Sequence, residues 1–235
     1  MDAGASGSIS YNVRVVYERL RRAAVAVGRR EDSIQLVAAT KSVSLEAIRE
    51  GLAAGLNVLG ENRLQEALPK IEALRGESVR WHFIGRLQRR KARSVVGIFD
   101  LIHSVDSLEL AQEIDRRAKE ASRQQPVLFE VNIGDEPTKA GFRPDELISL
   151  LPELSRLSYM VVKGLMTIPP PTSDAEQARP YFRRLRELAQ RLSQIVPGLS
   201  MDELSMGMSN DYVVAVEEGA TLIRVGTAIF GARRG

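Results

Sequence analysis

The 235-residue chain has no cysteine, only two histidines and one tryptophan, and aromatic residues make up 5% of it. Without cysteine there is no disulfide framework, no thiolate nucleophile and no cysteine-based metal site. The two imidazoles, His82 and His103, lack a neighbouring carboxylate cluster in sequence, so no metal site is expected and both read as hydrogen-bonded core residues. No apolar run approaches the length needed to cross a bilayer, and no basic-then-apolar leader opens the sequence; no membrane partner and a cytoplasmic location are expected. A large excess of one charge is missing too. The sequence pI is about 9.3, yet the net charge is only +3. The arginines are spread among acids along predicted helices, as in Arg183-Arg184-Leu185-Arg186-Glu187. A solvated helix face explains that pattern as well as a nucleic-acid surface does, and no nucleic-acid partner is expected.

What is present is ordinary globular material, 44% hydrophobic and 27% charged, in a length that buries one sizeable core. Residues 1–8, rich in Gly, Ala and Ser, read as a flexible tail, and 9–235 as one domain without a linker. A first helix over 10–27 spaces Val13, Val16, Leu20 and Ala24 on one face and stops at Gly28. Strand patterns follow at 34–41, 57–62, 79–85, 101–105, 127–133, 160–167, 202–206 and 221–230. Helical patterns fall at 44–54, 64–75, 108–122, 144–154, 175–195 and 211–218, with a weaker one at 88–96. Ser44 reads as an N-cap, and Gly55 and Gly219 as C-caps. Eight strands with intervening helices predict an α/β fold, a single (β/α)8 barrel with an extra N-terminal helix. The competitor, an open doubly wound sheet, wants a Gly-rich turn after an early strand, and Lys41-Ser42-Val43-Ser44 supplies none.

In such a barrel the chemistry sits at the C-terminal ends of the strands. Polar residues there include Lys41, Asn62, His82, Asn132, Thr167, Ser209, Asn210 and Thr227. Lys41 closes an apolar strand and, by alternation, shares a face with Val37 and the small Ala39. Two readings stand: a desolvated amine ready to attack an aldehyde, or a lysine snorkelling at a strand end. Ser209 and Asn210 precede a helix starting near Asp211, whose free N–H groups favour an anion, and Gly226 and Thr227 follow the first half of strand eight. Loops after strands seven and eight are the recurring phosphate site of this architecture; the bland alternative is a glycine-rich barrel corner. Arg224 should point inward with Gly226 and needs an acceptor, either a bound ring nitrogen or an interior acid such as Glu130. The loop Pro169-Pro170-Pro171-Thr172 reads either as a rigid connection or as a partial cover.

These segments resemble a known family. Val37-Ala-Ala-Thr-Lys-Ser, Gly60-Glu-Asn-Arg-Leu-Gln-Glu, Trp81-His-Phe-Ile-Gly-Arg-Leu-Gln, His103-Ser-Val-Asp, Lys139-Ala-Gly, Gly164-Leu-Met-Thr-Ile-Pro, Leu204-Ser-Met-Gly-Met-Ser and Arg224-Val-Gly-Thr-Ala-Ile-Phe-Gly occur in order over nearly the whole chain. Together they resemble the pyridoxal phosphate homeostasis proteins, barrels related to the N-terminal domain of bacterial alanine racemase. The resemblance implies pyridoxal 5′-phosphate as cofactor, held as a Schiff base on Lys41. It implies that Ser209, Gly226 and Thr227 grip the phosphate, Arg224 faces the pyridine nitrogen, and Asn62 and Met166 line the ring. Two departures, the missing proline after Lys41 and Arg89-Arg90-Lys91 in place of an asparagine–lysine ending, touch none of these residues.

An arginine donates to the pyridine nitrogen but does not protonate it, which leaves the ring a weaker electron sink. That argues against decarboxylase-like or transaminase-like catalysis. Racemisation needs acid–base groups on both faces of the substrate carbon. The related racemase draws its second group, a tyrosine, from a further domain of a partner subunit; this sequence ends at Gly235, and Tyr159 and Tyr212 are poor replacements. The expected function is therefore carriage of the cofactor in vitamin B6 homeostasis, by a monomer without catalysis of its own that supplies apo-enzymes dependent on it. The alternative is an amino-acid racemase.

Overall fold

The alternation of short apolar runs and amphipathic stretches becomes, in the computed structural model, which describes residues 7–232, eight parallel strands closed in chain order into a barrel. The elements are α1 (Ile9–Ala26), β1 (Gln35–Ala39), α2 (Leu45–Ala53), β2 (Val58–Glu61), α3 (Leu64–Ala73), β3 (Arg80–Phe83), α4 (Ala92–Val95), β4 (Leu101–Val105) and α5 (Leu108–Glu120). They continue with β5 (Gln125–Glu130), α6 (Pro144–Leu154), β6 (Met160–Met166), α7 (Arg179–Ile195), β7 (Glu203–Ser205), α8 (Tyr212–Glu217), β8 (Leu222–Val225) and α9 (Thr227–Phe230). No helix of the described residues is long and apolar enough to cross a membrane.

Strand alternation sorts the side chains into two cores. One set, including Leu36, Leu59, Trp81, Ile102, Phe129, Leu204 and Ile223, packs between sheet and helices. The other fills the barrel with Val37, Val58, Leu101, Leu128, Met166 and Leu222. Helix α1 buries Val13, Val16, Leu20 and Ala24, the face its spacing predicts. It lies across the outside of the seam where the barrel closes: Asn12 donates to Ile229 O at 2.9 Å, and Arg29, just beyond the helix, donates to Val216 O and Ala220 O, each at 2.8 Å. Of the expected tail, positions 1–6 lie outside the described residues, whereas Ser8 is the N-cap of α1, its hydroxyl accepting from Tyr11 N–H. Ser44 caps α2 in the same way, and Gly55 and Gly219 follow their helices with φ of 100° and 104°.

Several strands are shorter than their apolar runs, and the last differs in kind: positions 227–230 of the expected strand 221–230 form α9. In β6 the difference changes which residues face inward. Its pairing with β5 runs Val127↔Val162 and then Leu128↔Gly164, so Lys163 is an extra, bulged residue. The bulge reverses the phase of the strand. Val162 and Leu165 consequently both face the helices, and Met166 turns into the barrel. Gly164 makes this possible: its φ is 153°, and an added Cβ would lie 1.9 Å from Glu203 O. Gly164→Ala should destabilise the fold by about 3 kcal/mol through strain and overpacking. Urea unfolding measures this; a loss near zero would contradict the bulge geometry.

Candidate functional site

Lys41 does not lie on a strand, contrary to the expected strand 34–41; β1 ends at Ala39 and Lys41 occupies the turn that leads to α2, where it is half-buried. Lys41 is therefore oriented by a turn held from outside and not by strand alternation. Thr40 N–H still donates to Gly60 O at 2.9 Å, and Val43 N–H closes the turn on Thr40 O at 3.0 Å. The Thr40 hydroxyl donates to Glu61 Oε1 at 2.6 Å, and Lys70 Nζ, reaching in from α3, donates to Thr40 O and Glu61 Oε1, each at 2.7 Å. Ser42, with φ of 59°, donates its N–H to Glu66 Oε2 at 3.3 Å. A buried ion pair thus clamps the peptide immediately before Lys41. Sequence reasoning missed Lys70; the one signal was a second charged residue, nine positions after a strand-ending acid, on a predicted helix.

Arg224 projects into the barrel as expected and is 5% exposed. Its Nη1 donates to Ser205 Oγ, and its Nη2 donates to Thr167 O at 2.9 Å. The expected interior acid, Glu130, accepts no hydrogen bond from it; both hydrogen-bonded acceptors instead come from the ends of β6 and β7, the strands nearest β8 on that side. Burial pulls the guanidinium down to about 10, opposed at longer range by Glu130 and Asp211. From Ser205 the contacts run on: its Oγ lies 2.8 Å from His103 Nδ1, and His103 Nε2 lies 3.0 Å from His82 Nδ1. Burial, reinforced by Arg80, pushes His82 to about 3, and burial with His82 and Arg224 nearby holds His103 well below its ordinary value. Both are buried, hydrogen-bonded and neutral.

The last strand–helix junction is where expectation and structure differ most. Gly226 ends β8 close to β1, where an added Cβ would lie 3.3 Å from Ala39 O. The chain then turns at once into α9. Ser209 Oγ accepts from Gly226 N–H at 3.3 Å and from Ala228 N–H at 3.2 Å. The donors that converge on this corner therefore come from the start of α9, not from α8 as expected; ahead of α8, Asp211 Oδ1 takes the Met208 N–H at 2.6 Å. Ser209 is half-buried, and Thr227 and Asn210 are exposed. Asn62, just beyond β2, has a buried Oδ1 without a hydrogen-bond partner among the described residues. Met166 lies inside the barrel, 1% exposed. Lys41, Asn62, Ser209, Gly226 and Thr227 thus collect beyond the C-terminal ends of β1, β2, β7 and β8, above the interior that holds Arg224 and Met166. On the far side of the mouth, Lys139 donates to Pro169 O at 3.1 Å and ties the loop after β5 to the proline-rich loop after β6.

A cavity of about 330 Å³ opens at the opposite mouth, lined by Gln35, Arg80, His82, Asp100, Lys163, Asp202 and Glu203 among others. It offers exposed charges and one exposed amine, Lys163. Among the described residues no group of His, Cys, Asp and Glu is arranged to hold a metal ion. At the upper end Glu130 is raised to about 7, first by burial and then by Asp106, with Arg224 and Arg86 opposing. A raised carboxyl binds its proton more tightly in the folded state, so its contribution is present at acid pH and is lost as pH rises toward 7. Glu130→Gln should flatten the fall of stability across that window. Unfolding curves of both proteins measure it, and unchanged pH dependence would contradict the burial of this charge.

The model of the family "Alanine racemase, N-terminal domain" matches residues 8–234. A pyridoxal phosphate homeostasis protein of Aquifex aeolicus is 48% identical over 219 residues, covering 93% of this chain and 96% of that protein. The solved structure of PipY from Synechococcus elongatus with pyridoxal phosphate bound is 43% identical, with a TM-score of 0.81, over 92% of this chain and all (100%) of the other. At 17% identity, alanine racemase of Clostridium difficile shares the fold, with a TM-score of 0.70 over 96% of this chain and 58% of its own. With that barrel and that extent of identity, the chain belongs to the pyridoxal phosphate homeostasis protein family, built on the alanine racemase N-terminal domain.

Proposed function

We propose that the protein binds pyridoxal 5′-phosphate through Lys41 and acts in the cytoplasm as a monomeric carrier that keeps the cofactor available to apo-enzymes. The observation that carries this reading is the Ser209 corner: two backbone N–H groups, of Gly226 and Ala228, converge on one oxygen across the β1–β8 seam from the lysine turn. Such donors suit a phosphate ester. The remaining groups fit the rest of the molecule. The Lys41 amine would replace the aldehyde oxygen and release water. Arg224, with donors only, would face the pyridine nitrogen; Asn62, with its unpartnered carbonyl oxygen, and Met166 would flank the ring. Bound there, the cofactor would supply an electron-poor ring, and the chain's own part is to hold it, not to protonate its nitrogen.

Racemisation would need an acid–base group opposite Lys41. Tyr159 precedes β6 at the lower rim, and Tyr212 is buried, its Cα 3.0 Å from where a Gly207 Cβ would lie. Carriage is thus favoured over catalysis.

Mixed with the cofactor, the protein should turn yellow, and Lys41→Ala should abolish the band while leaving the fold intact by circular dichroism. A band that survives in Lys41→Ala would refute the assignment. Gly226→Val, which crowds Ala39, should weaken affinity about tenfold or more, as read by titration at the same band; unaltered affinity would move the phosphate elsewhere.

A further inference from the structure

We propose that Ser205, His103 and His82 form, with Arg224, a one-way hydrogen-bonded column through the barrel that positions the Arg224 guanidinium and fixes both rings as neutral tautomers protonated on Nε2.

The direction of the column follows from its fixed end. An arginine carries only donors, so Arg224 Nη1 donates to Ser205 Oγ. Ser205 is fully buried, and the other partner of its hydroxyl is His103 Nδ1 at 2.8 Å. The hydroxyl proton therefore points to His103 Nδ1, which must be bare. If His103 donated instead, the Ser205 proton would be a buried donor without an acceptor. With Nδ1 accepting, a neutral His103 carries its proton on Nε2 and donates to His82 Nδ1 at 3.0 Å. His82 in turn keeps its proton on Nε2, and its ring stands at the wall of the lower cavity. One arginine thus sets the state of two imidazoles.

The four side chains come from β8, β7, β4 and β3, so the column braces the barrel from its closing seam to the far wall. A second proton on either ring would cost one of these bonds, and on His103 it would add a cation near the buried Arg224. Burial opposes that charge on both rings. At the other end, Nη1 on Ser205 and Nη2 on Thr167 O hold the guanidinium plane at two points. Its remaining N–H groups are left with a fixed direction, as a planar fork requires for a one-atom acceptor such as a ring nitrogen. Ser205, His103 and His82 are positioning residues in this account. Their effect on the cofactor rests on the proposed role of Arg224; the tautomers do not.

The experiment is a long-range proton–nitrogen NMR spectrum of the two histidine rings in the nitrogen-labelled full chain, ligand-free and loaded with pyridoxal 5′-phosphate. His82→Gln assigns the pair. Both rings should show a proton on Nε2 and an accepting Nδ1. Ser205→Ala should turn His103 into a tautomer mixture, raise the dissociation constant of the cofactor about tenfold and displace its visible band, and Ser205→Thr should restore all three. A wild-type ring protonated on Nδ1 overturns the column, whether or not Ser205→Ala folds. Unchanged tautomer, affinity and band in Ser205→Ala overturn the positioning role. A wild-type protein that takes up no cofactor refutes the function proposed above and the positioning role with it, while the ligand-free spectrum still decides the tautomers.

Discussion

Everything at the upper mouth depends on the seam where β8 pairs with β1. The register runs from Gln35↔Leu222 through Val37↔Arg224 to Ala38↔Val225. It closes the sheet, leaves it without edges, and sets the turn that carries Lys41 beside the junction that carries Gly226. A slip of one residue would turn Arg224 out among apolar helix contacts and bring Val225 inward. Register here is specified by burial on both faces, and by α1, whose first turn is pinned to α9 through Asn12 and whose following segment is pinned to α8 and the turn before β8 through Arg29.

The interior answers to the same constraint. Its lower and middle layers combine the apolar Val37, Val58, Leu101, Leu128 and Leu222 with the hydrogen-bonded Ser205, His103 and His82. The buried cations sit where acceptors are ready. Arg224 has Ser205 and Thr167 O; outside the sheet, Lys70 has Glu61 and Thr40 O. Breaking either set leaves a buried charge with too few partners, a costlier change than never having had the charge. Both sets hold backbone or side chains within a residue or two of the proposed cofactor contacts. Among the polar groups that the fold buries, these two sets aim the site.

Much of this was legible in the sequence. The alternation of element types predicts the barrel, the Val13/Val16/Leu20/Ala24 spacing predicts the buried face of α1, and Ser44, Gly55 and Gly219 mark helix ends that the structure keeps. The gathering of the candidate residues at the upper mouth was legible through strand ends and family motifs. The local details were not. Thr227-Ala228-Ile229-Phe230 reads as strand because its residues suit one, whereas Gly226 turns the chain where β1 lies close. The bulge at Lys163 hides in an unbroken apolar run, since only pairing with β5 exposes the extra residue. The partners of Arg224 lie 19 and 57 positions away, beyond any local pattern.

In the proposed function this seam sets one amine, among the several the chain carries, against the aldehyde of the cofactor. Borohydride reduction of the loaded wild-type protein, followed by peptide mapping, tests it most directly. A single stable adduct is expected on the peptide that contains Lys41. Modification concentrated on Lys163 at the lower mouth or on Lys139 at the opposite rim, with Lys41 untouched, would contradict it.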